Sequence, residues 1–295
     1  MGALTLCCLA ALGCVDSVSA PATPTDGGAT SDSGSTIVDS GVEDSGSIAD
    51  ATDTADADVW NPSKLAGLAL WLDAEKGVTG TANVSKWADQ SGKGNDFSQA
   101  AMGNQPALTP NAVHGHAALQ FTANSDSFLA VQPLPATMTF GTGDYEIMEV
   151  VAYDNTPANE QSKGYGCLYV TNGTQGIFAN NPNVPNGSLY VQMAGTSLAS
   201  VATTLNDATY HRLGARRKGA VLEARADGVV AMTAISGTQD VTSPSIGAFI
   251  GGRILTENAN QALNGHIAEV VAVMGTVSDA DAALLETYFK TKYGL

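Results

Sequence analysis

The sequence is short of basic residues, and the shortage is most severe near the N-terminus. The 295 residues include 29 Asp and Glu against 13 Lys and Arg, which gives a formal net charge of −16. Positions 15–59 contain ten acidic residues and no basic one, leaving 19 acids against 13 bases in the rest of the chain. A chain this acidic lacks the positive surface that nucleic-acid phosphates require, so we exclude nucleic acid as a partner.

Long apolar runs are also missing. The only candidate stretch covers residues 3–13, whereas a membrane-spanning helix needs about 18–20 apolar residues. A stretch of this length matches the core of a signal peptide. We therefore expect an exported protein with no membrane-spanning helix.

Cysteine is scarce in the part of the chain expected to fold. Of four cysteines, Cys7, Cys8 and Cys14 belong to the N-terminal apolar segment, which leaves Cys167 alone once that segment is removed. A disulfide within the folded part is then excluded, and stability must come from a buried core or from a metal. We expect Cys167 to be a small buried residue and not a reactive thiol.

The end of the apolar segment resembles a bacterial lipobox. Residues 9–14 read Leu-Ala-Ala-Leu-Gly-Cys, and the resemblance implies that Cys14 is lipidated and becomes the new N-terminus. Residues 1–14 would then be the signal peptide, and the protein a lipoprotein of the bacterial envelope, at the outer membrane or cell surface. The alternative is an ordinary signal peptide cleaved after Ala20, because Val18-Ser19-Ala20 approximates the small-residue cleavage pattern, and the protein would then be secreted.

Residues 15–59 are predicted to form a disordered linker. The segment is built from Ser, Thr, Asp, Gly and Ala without an aromatic residue, and Asp-Ser-Gly recurs at positions 32, 39 and 44. Such a composition buries too little apolar area to offset the entropy of ordering, and its like charges repel one another. We interpret it as a tether between a lipid anchor and a folded head.

After Lys64 the sequence pattern changes to short apolar runs separated by turn residues. Turn signals at this spacing predict an antiparallel sandwich or barrel, and the chain has no βαβ alternation or phosphate-binding loop. Residues 172–187 are predicted to be a loop, and Asp227-Gly228 the turn of a hairpin. The predicted strands cover 65–72, 145–153, 167–170, 188–193, 221–226, 229–234, 246–250 and 266–273.

One helix is predicted at the C-terminus. Ser278 is a suitable N-cap, two aspartates follow it in the first turn, and Gly294 can end the helix. Leu284, Leu285, Tyr288 and Phe289 form one apolar stripe. We expect this helix to cap the sandwich and to have a structural role.

A series of motifs resembles the concanavalin A-like or laminin-G-like domains of bacterial surface proteins. The motifs occur in the family's order: Leu-Ala-Leu-Trp-Leu-Asp-Ala at 68–74, Trp-Ala-Asp-Gln-Ser-Gly-Lys-Gly-Asn-Asp at 87–96, Gly-His-Ala-Ala-Leu-Gln-Phe at 115–121 and Leu-Asn-Gly-His-Ile-Ala-Glu-Val at 263–270. The resemblance implies one two-sheet jelly-roll domain over residues 60–295. It also implies carbohydrate as the ligand class.

Four oxygen-bearing side chains are candidate calcium ligands. Asp89, Asn95, Asp96 and Asp126 lie in two loops of the first half of the domain, and calcium takes six to eight oxygens from such groups. The alternative is that these residues build turns through hydrogen bonds to their own backbone. His114 and His116 flank a glycine, but no third ligand is near in sequence, so we interpret them as turn and strand-end residues.

Two groups of residues are candidate ligand-binding side chains. The first contains aromatic and amide groups in or beside the loop 172–187, which are the groups that bind sugars: Tyr165, Tyr169, Asn172, Phe178 and Tyr190. The second is a basic group on one predicted strand pair, which would suit an anionic glycan, with Arg212 and Arg216 as the candidate binding residues. Its members are His211, Arg212, Arg216, Arg217, Lys218 and Arg225. The alternative for the basic group is a solvated sheet edge that is protected by its charges from pairing with other chains.

Paired carboxylates at strand spacing, which a glycosidase of this fold would need, are not found. A retaining glycosidase requires two carboxyl groups about 5–5.5 Å apart, but Glu146 and Glu149 are three residues apart and point to opposite faces of a strand. Glu269 has no acidic partner on its own strand. We therefore expect a non-catalytic binding or adhesion module for a glycan or cell-surface polymer. The alternative is a structural or protein-binding envelope protein. A glycoside hydrolase or lyase is the third possibility.

Overall fold

A computed structural model describes residues 59–154, 168–170, 176–179, 187–193, 196–200, 204–235, 240–241, 247–253 and 261–295. The predictions for the signal peptide, Cys14, the acidic linker, Tyr165, Cys167 and Asn172 lie outside these residues. No helix among the described residues is long and apolar enough to cross a membrane.

The described part of the chain is an antiparallel β-sandwich with one α-helix, α1 (Asp279–Tyr293), at its C-terminus. Four short 3-10 segments cover Pro62–Lys64, Met102–Asn104, Ala123–Ser125 and Ala136–Met138. In chain order the strands are β1 (Leu68–Asp73), β2 (Val78–Thr79), β3 (Lys86–Trp87), β4 (Phe97–Ser98), β5 (Ala107–Val113), β6 (His116–Phe121), β7 (Leu129–Val131), β8 (Tyr145–Tyr153), β9 (Leu168–Val170), β10 (Gly176–Ala179), β11 (Leu189–Met193), β12 (Thr196–Ser200), β13 (Tyr210–Lys218), β14 (Val221–Ala226), β15 (Val229–Ile235), β16 (Ala248–Ile250), β17 (Gly252–Arg253), β18 (Gln261–Ala262) and β19 (Gly265–Met274).

Two large sheets contain most of these strands. In the described residues the first sheet has the order β15-β14-β13-β8-β19-β6-β5, and β1 pairs with the same edge of β19 as β6 does. The second sheet has the order β12-β11-β10-β9-β16-β7-β4-β3-β2, and β17 and β18 form a separate ribbon. The prediction of an antiparallel two-sheet sandwich is confirmed.

The hydrophobic residues form two cores, one on each side of the first sheet. Strand β8 is buried along its whole length because its side chains alternate between them. Ile147 and Val151 belong to the core between the two sheets, whereas Met148 and Val150 belong to the core beneath α1. A strand covered on both faces is largely apolar, and this explains the apolar run of β1 and the apolar residues of β8 around its two buried glutamates.

Helix α1 has the predicted caps and packs on the outer face of the first sheet. The Ser278 hydroxyl accepts the backbone N–H of Asp281 at 3.0 Å, and Gly294 ends the helix with φ 66°. Leu285, Phe289 and Tyr293 are buried in the core beneath the helix. The predicted structural role of this helix fits its position.

The prediction that residues 172–187 form a loop is wrong in the middle of that segment. Strand β10 occupies Gly176–Ala179 and pairs with β11, so a short apolar run within a turn-rich sequence completes the second sheet. The first predicted strand also starts later than expected, at Leu68. Residues 62–64 form a 3-10 turn, and Gly67 takes φ 77° with its backbone against the carbonyl of Met274.

Candidate functional site

Three of the four predicted calcium ligands lie together, but their oxygens are already occupied. Asp89 Oδ1 accepts the backbone N–H groups of Trp71 and Ser91 at 3.0 and 2.9 Å, and its Oδ2 accepts that of Asn95 at 3.0 Å. Asp96 Oδ1 accepts the N–H of Asp89 at 2.9 Å, while its Oδ2 pairs with Lys86. These bonds fix the 89–96 turn to the start of β1, as expected for Asx-type turns.

Asn95 and Asp126 also have local structural roles. The Asn95 amide donates to the carbonyl of Ala69 at 2.7 Å, and its carbonyl accepts the Thr137 hydroxyl at 2.8 Å. Asp126 ends a 3-10 turn with φ 47°, and its carbonyl accepts the amide of Asn104. Among the described residues, no three His, Cys, Asp or Glu side chains are grouped as a metal ion would require.

Arg212 and Arg216 are buried, which corrects the expectation of a charged and exposed strand pair. Arg212 is 6% exposed, and it donates to Glu286 at 3.2 Å and to the carbonyl of Leu295 at 2.6 Å. Arg216 is 4% exposed and donates to the carbonyl of Val277 at 2.6 Å. Their strand, β13, lies between β8 and β14 and not at the edge of the sheet.

These guanidinium groups therefore hold α1 to the sheet. Arg216 also lies 2.9 Å from Asp279 in the first turn of α1 and 3.4 Å from Glu146 on β8. Burial raises the pKa of Glu146 and of Glu286, while the neighbouring arginines oppose that shift. We remove Arg212 and Arg216 from the candidate ligand-binding residues, because their donors are used to fix the helix.

Of the aromatic candidates, Tyr190 lies on the outer face of the second sheet. Leu189, Val191 and Met193 of β11 are buried in the core, so Tyr190 and Gln192 point to the opposite face, where both are half-buried. In the strand register Tyr190 lies between Phe178 of β10 and Ala199 of β12.

Gln192 lies between two small residues in the same ladder. Its register partners are Gly176 of β10 and Ser197 of β12. Directly opposed residues of an antiparallel ladder share a face of the sheet, so these six positions form one surface, which we call the tyrosine shelf. Tyr169 is set further along the sheet, opposite Gly176 and Phe249.

The two histidines lie apart from the shelf and are not paired around a metal. His114 is in the turn between β5 and β6 with φ 45°, and its Nδ1 contacts the carbonyl of Tyr293. His116 is the first residue of β6, and its Nδ1 lies 3.0 Å from Glu75. Both side chains thus contact the region where α1 ends and β1 leaves the sheet.

A pair of carboxylates that the sequence did not predict is buried beneath α1. Asp73 of β1 and Glu269 of β19 are register partners on neighbouring strands, and neither is exposed. Lys292 of α1 lies between them, with Nζ 2.9 Å from Asp73 and 2.8 Å from Glu269. Because both oxygens lie this close to one nitrogen, they are no more than about 6 Å apart, near the separation of a retaining glycosidase.

The remaining contacts of this pair suit a structural clamp. Glu269 accepts the hydroxyls of Tyr288 and Tyr293 at 2.9 and 2.7 Å and the indole N–H of Trp71 at 2.6 Å. Burial raises the pKa of Glu269 against the effect of Lys292, and burial also raises the pKa of both tyrosines. Burial lowers the pKa of Lys292, but the two carboxylates outweigh it and raise that pKa. We call these residues the lysine clamp.

Comparison with known proteins supports the fold. No protein-family model matches the chain, and no curated protein sequence matches it. The chain resembles the binding domain of Paraclostridial Mosquitocidal Protein 1, with a TM-score of 0.55 and 11% identity over 77% of this chain and 52% of that one. It also resembles the receptor-binding domain of botulinum neurotoxin D, with a TM-score of 0.50 and 10% identity over 75% and 52%.

A third structure matches over nearly its whole length. Domain 4 of AbnA, a GH43 extracellular arabinanase from Geobacillus stearothermophilus solved in complex with arabinotriose, has a TM-score of 0.51 and 12% identity over 74% of this chain and 98% of that one. The chain spans about half the length of the two toxin chains that it matches. At these identities the likeness concerns the fold, and the chain is an antiparallel β-sandwich of the kind that these binding domains share.

Proposed function

We propose that this protein is a non-catalytic glycan-binding module of the concanavalin A-like or laminin-G-like class, and that it binds glycan on the tyrosine shelf. The observation that carries the proposal is the position of Tyr190. Its half-exposed ring lies on a sheet face with the Gln192 amide two residues away, and small residues lie opposite that glutamine. Aromatic rings receive the apolar faces of sugars, while an amide both donates and accepts hydrogen bonds.

The fold adds support, because a sandwich domain with a similar backbone has been solved with arabinotriose bound. The alternative is a structural or protein-binding envelope protein. A sheet face that carries tyrosine also suits a protein partner, whose interfaces are enriched in tyrosine.

The experiment is a glycan-array screen of the full chain, run with calcium and repeated with a chelator. Against the best glycan, Tyr190→Ala is expected to bind about tenfold more weakly, a loss of about 1.4 kcal/mol, whereas Tyr190→Phe keeps the ring and most of the affinity. Binding that vanishes with the chelator would support the predicted calcium ligands Asp89, Asn95, Asp96 and Asp126. No binding to any glycan would favour the protein-binding alternative, whereas unchanged binding by Tyr190→Ala would exclude the tyrosine shelf as the glycan site.

The non-catalytic part of the proposal rests on the lysine clamp. Its two carboxylates lie within about 6 Å of one another, as the carboxyl groups of a retaining glycosidase do. However, they have no exposed area and are bonded to Lys292, to two tyrosine hydroxyls and to an indole. A glycosidase needs its carboxyl groups on either side of a bound substrate. Reducing ends released from a bound glycan, and lost in Glu269→Gln, would refute this part of the proposal.

We further propose that the protein is exported and anchored through Cys14. The support is the lipobox-like sequence followed by an acidic segment without aromatic residues. In a bacterial host, Cys14→Ser is expected to move the protein from the membrane fraction to the soluble fraction. Equal membrane association of both forms would exclude the lipid anchor and leave secretion after cleavage at Ala20 as the alternative.

A further inference from the structure

A groove runs along α1 on the outer face of the first sheet, away from the tyrosine shelf. It consists of two adjoining cavities of about 380 and 280 Å³, which share Val59, Trp60, Tyr288 and Lys292. We call the two together the helix groove. Its combined volume lies in the range of small-molecule sites, which is about 300–1,000 Å³.

The larger cavity presents aromatic and aliphatic surface to solvent. Trp60 and Tyr288 are half-buried and meet edge to face, with ring centroids 5.9 Å apart. Leu284 completes the wall and is 41% exposed, which is unusual for a large aliphatic residue beside two aromatic rings. A concave surface of this kind favours a ligand with an apolar face.

The smaller cavity contains charges of both signs that compensate one another. It is lined by Asp73, Glu75, Lys76 and Lys292, together with Asn61 and Trp71. Lys292 lies 2.9 Å from Asp73 and 3.6 Å from Glu75, and Lys76 lies 3.6 Å from Asp73. An anionic ligand would meet the two carboxylates in this cavity.

A cationic ligand would have to displace the groove's own ammonium groups. Lys76 already lies over the Trp71 ring at 5.1 Å, and Lys292 over the Tyr288 ring at 5.8 Å. The groove therefore suits a neutral ligand whose groups both donate and accept hydrogen bonds. Glu75 and Lys76, the exposed members, provide an acceptor and a donor side by side.

We propose that the helix groove is a second binding site, which takes a neutral saccharide with one sugar ring against Trp60 and Tyr288 and its hydroxyls toward Glu75 and Lys76. A sugar ring has the two properties that the groove requires, an apolar face and uncharged hydroxyls that donate and accept. The proposal rests on different residues from the tyrosine shelf and stands or fails separately.

Tryptophan fluorescence of the full chain reports on this groove. The chain has three tryptophans: Trp60 lines the groove and is half-buried, Trp71 lines the smaller cavity from a buried position, and Trp87 is buried. Titration with neutral trisaccharides of glucose, galactose, mannose, xylose and arabinose is expected to change the emission with at least one of them. Trigalacturonate and the glucosamine trimer provide charged sugars of similar size, which are expected to bind about tenfold more weakly.

Substitutions decide whether the signal comes from the groove. Thr287→Phe fills the larger cavity from an exposed helix position, and we expect it to weaken the best sugar about tenfold or more, whereas Thr233→Phe makes the same change on β15 and leaves binding unchanged. Glu75→Gln removes one charge from the smaller cavity without altering the shape of that cavity. The titration repeated in Tyr190→Ala separates the two sites, because the groove signal persists there even if the shelf binds nothing.

Three results would overturn the proposal. They are no emission change with any neutral sugar, equal affinity in Thr287→Phe with an unchanged melting temperature, and tighter binding of either charged trisaccharide than of every neutral one.

Discussion

Single residues in this protein act mainly by pairing buried charge. The lysine clamp places one ammonium between two carboxylates that have no exposed area, while the Lys292 side chain itself is 14% exposed. Removing one member of such a group leaves uncompensated buried charge, which costs more than the intact group contributes. The stability of the helix–sheet interface therefore depends on Lys292 more than on any contact at the surface of α1.

Lys292→Met is expected to lower the free energy of unfolding by about 3–5 kcal/mol, as measured by urea denaturation near neutral pH. Lys290→Met, two residues earlier and exposed, is the matched control, with an expected change of less than about 1 kcal/mol. Adding Glu269→Gln to Lys292→Met should recover part of the loss. A Lys292→Met protein as stable as the control would contradict the clamp.

The pH dependence of the Lys292→Met variant follows from the same carboxylate. Burial already raises the pKa of Glu269 against the effect of Lys292, so removal of the lysine raises it further. A carboxyl whose pKa is higher in the folded state makes folding more favourable as pH falls. The deficit of Lys292→Met relative to the wild type is therefore expected to shrink from about pH 7 to about pH 5. If the stability deficit of Lys292→Met were the same at both pH values, the loss would come from packing and not from the unpaired charge of Glu269.

His211 provides a second prediction of pH dependence. The hydrogen bond from Nδ1 to Asp227 at 2.9 Å is the main cause that raises the pKa of this histidine, with Asp207 adding to it and burial opposing it. A raised histidine pKa adds stability below the unfolded value of about 6.5, and this is lost as pH rises through the folded value. His211→Gln is expected to cost more stability at about pH 6 than at about pH 8. Thermal melting of the wild type and of His211→Gln at the two pH values measures this difference. An equal stability cost at both would exclude a contribution from the protonation of His211.

The residue roles could be predicted from sequence only where partners are near in the chain. The Asp89 carboxylate accepts N–H groups two and six positions away, and the turn-building alternative fits it. The Asn95 side chain instead bonds to Ala69 and Thr137, 26 and 42 positions away. Asp73 and Glu269 meet only because β1 pairs with β19 at the other end of the domain. Arg212 was expected to be exposed because its strand carries three other Lys or Arg residues, whereas in the structure it donates to Glu286 of the docked helix.

At the scale of elements, strands and the helix were predictable where local signals and tertiary environment agree. Helix α1 has a cap at each end, and the hairpin β14–β15 has an Asp-Gly turn, so both form as predicted. The predicted apolar stripe is wrong at Leu284, which is 41% exposed, because the buried face of the helix runs through Leu285, Phe289 and Tyr293. Strand β10 was missed because its four residues have no alternation of their own. Its place is fixed by pairing with β11 and β9.

The N-cap of α1 gives the prediction for this scale. Ser278→Ala removes the acceptor of the Asp281 N–H and is expected to destabilise the protein by about 1 kcal/mol. Ser278→Asn keeps a side-chain acceptor at the cap and should be close to the wild type. Urea denaturation of the three proteins provides the comparison. Equal stability of the alanine and asparagine variants would show that the docking of α1, and not its cap, sets the stability of the helix.

For the whole molecule, charge and composition divide the chain into two parts. The ten acids at positions 15–59 carry most of the net charge of −16, and the rest is close to balanced, with 19 acids and 13 bases. Five of the basic residues form ion pairs within the first sheet or between it and α1: Arg212, Arg216, Lys218, Arg225 and Lys292.

Limited proteolysis tests this division. A segment rich in Asp, Ser and Gly gains too little from burial to stay folded, and open chain is cut long before a packed core. Glu-C protease, which cuts after acidic residues, is therefore expected to cleave first within 15–59 and to leave a stable fragment that starts near residue 60, identified by mass and N-terminal sequence. The fragment should melt at the same temperature as the full chain, because the ordered contacts of the sandwich lie within it. Early cleavage inside β1 to α1, or a fragment that melts well below the full chain, would mean that the acidic segment is part of the folded structure.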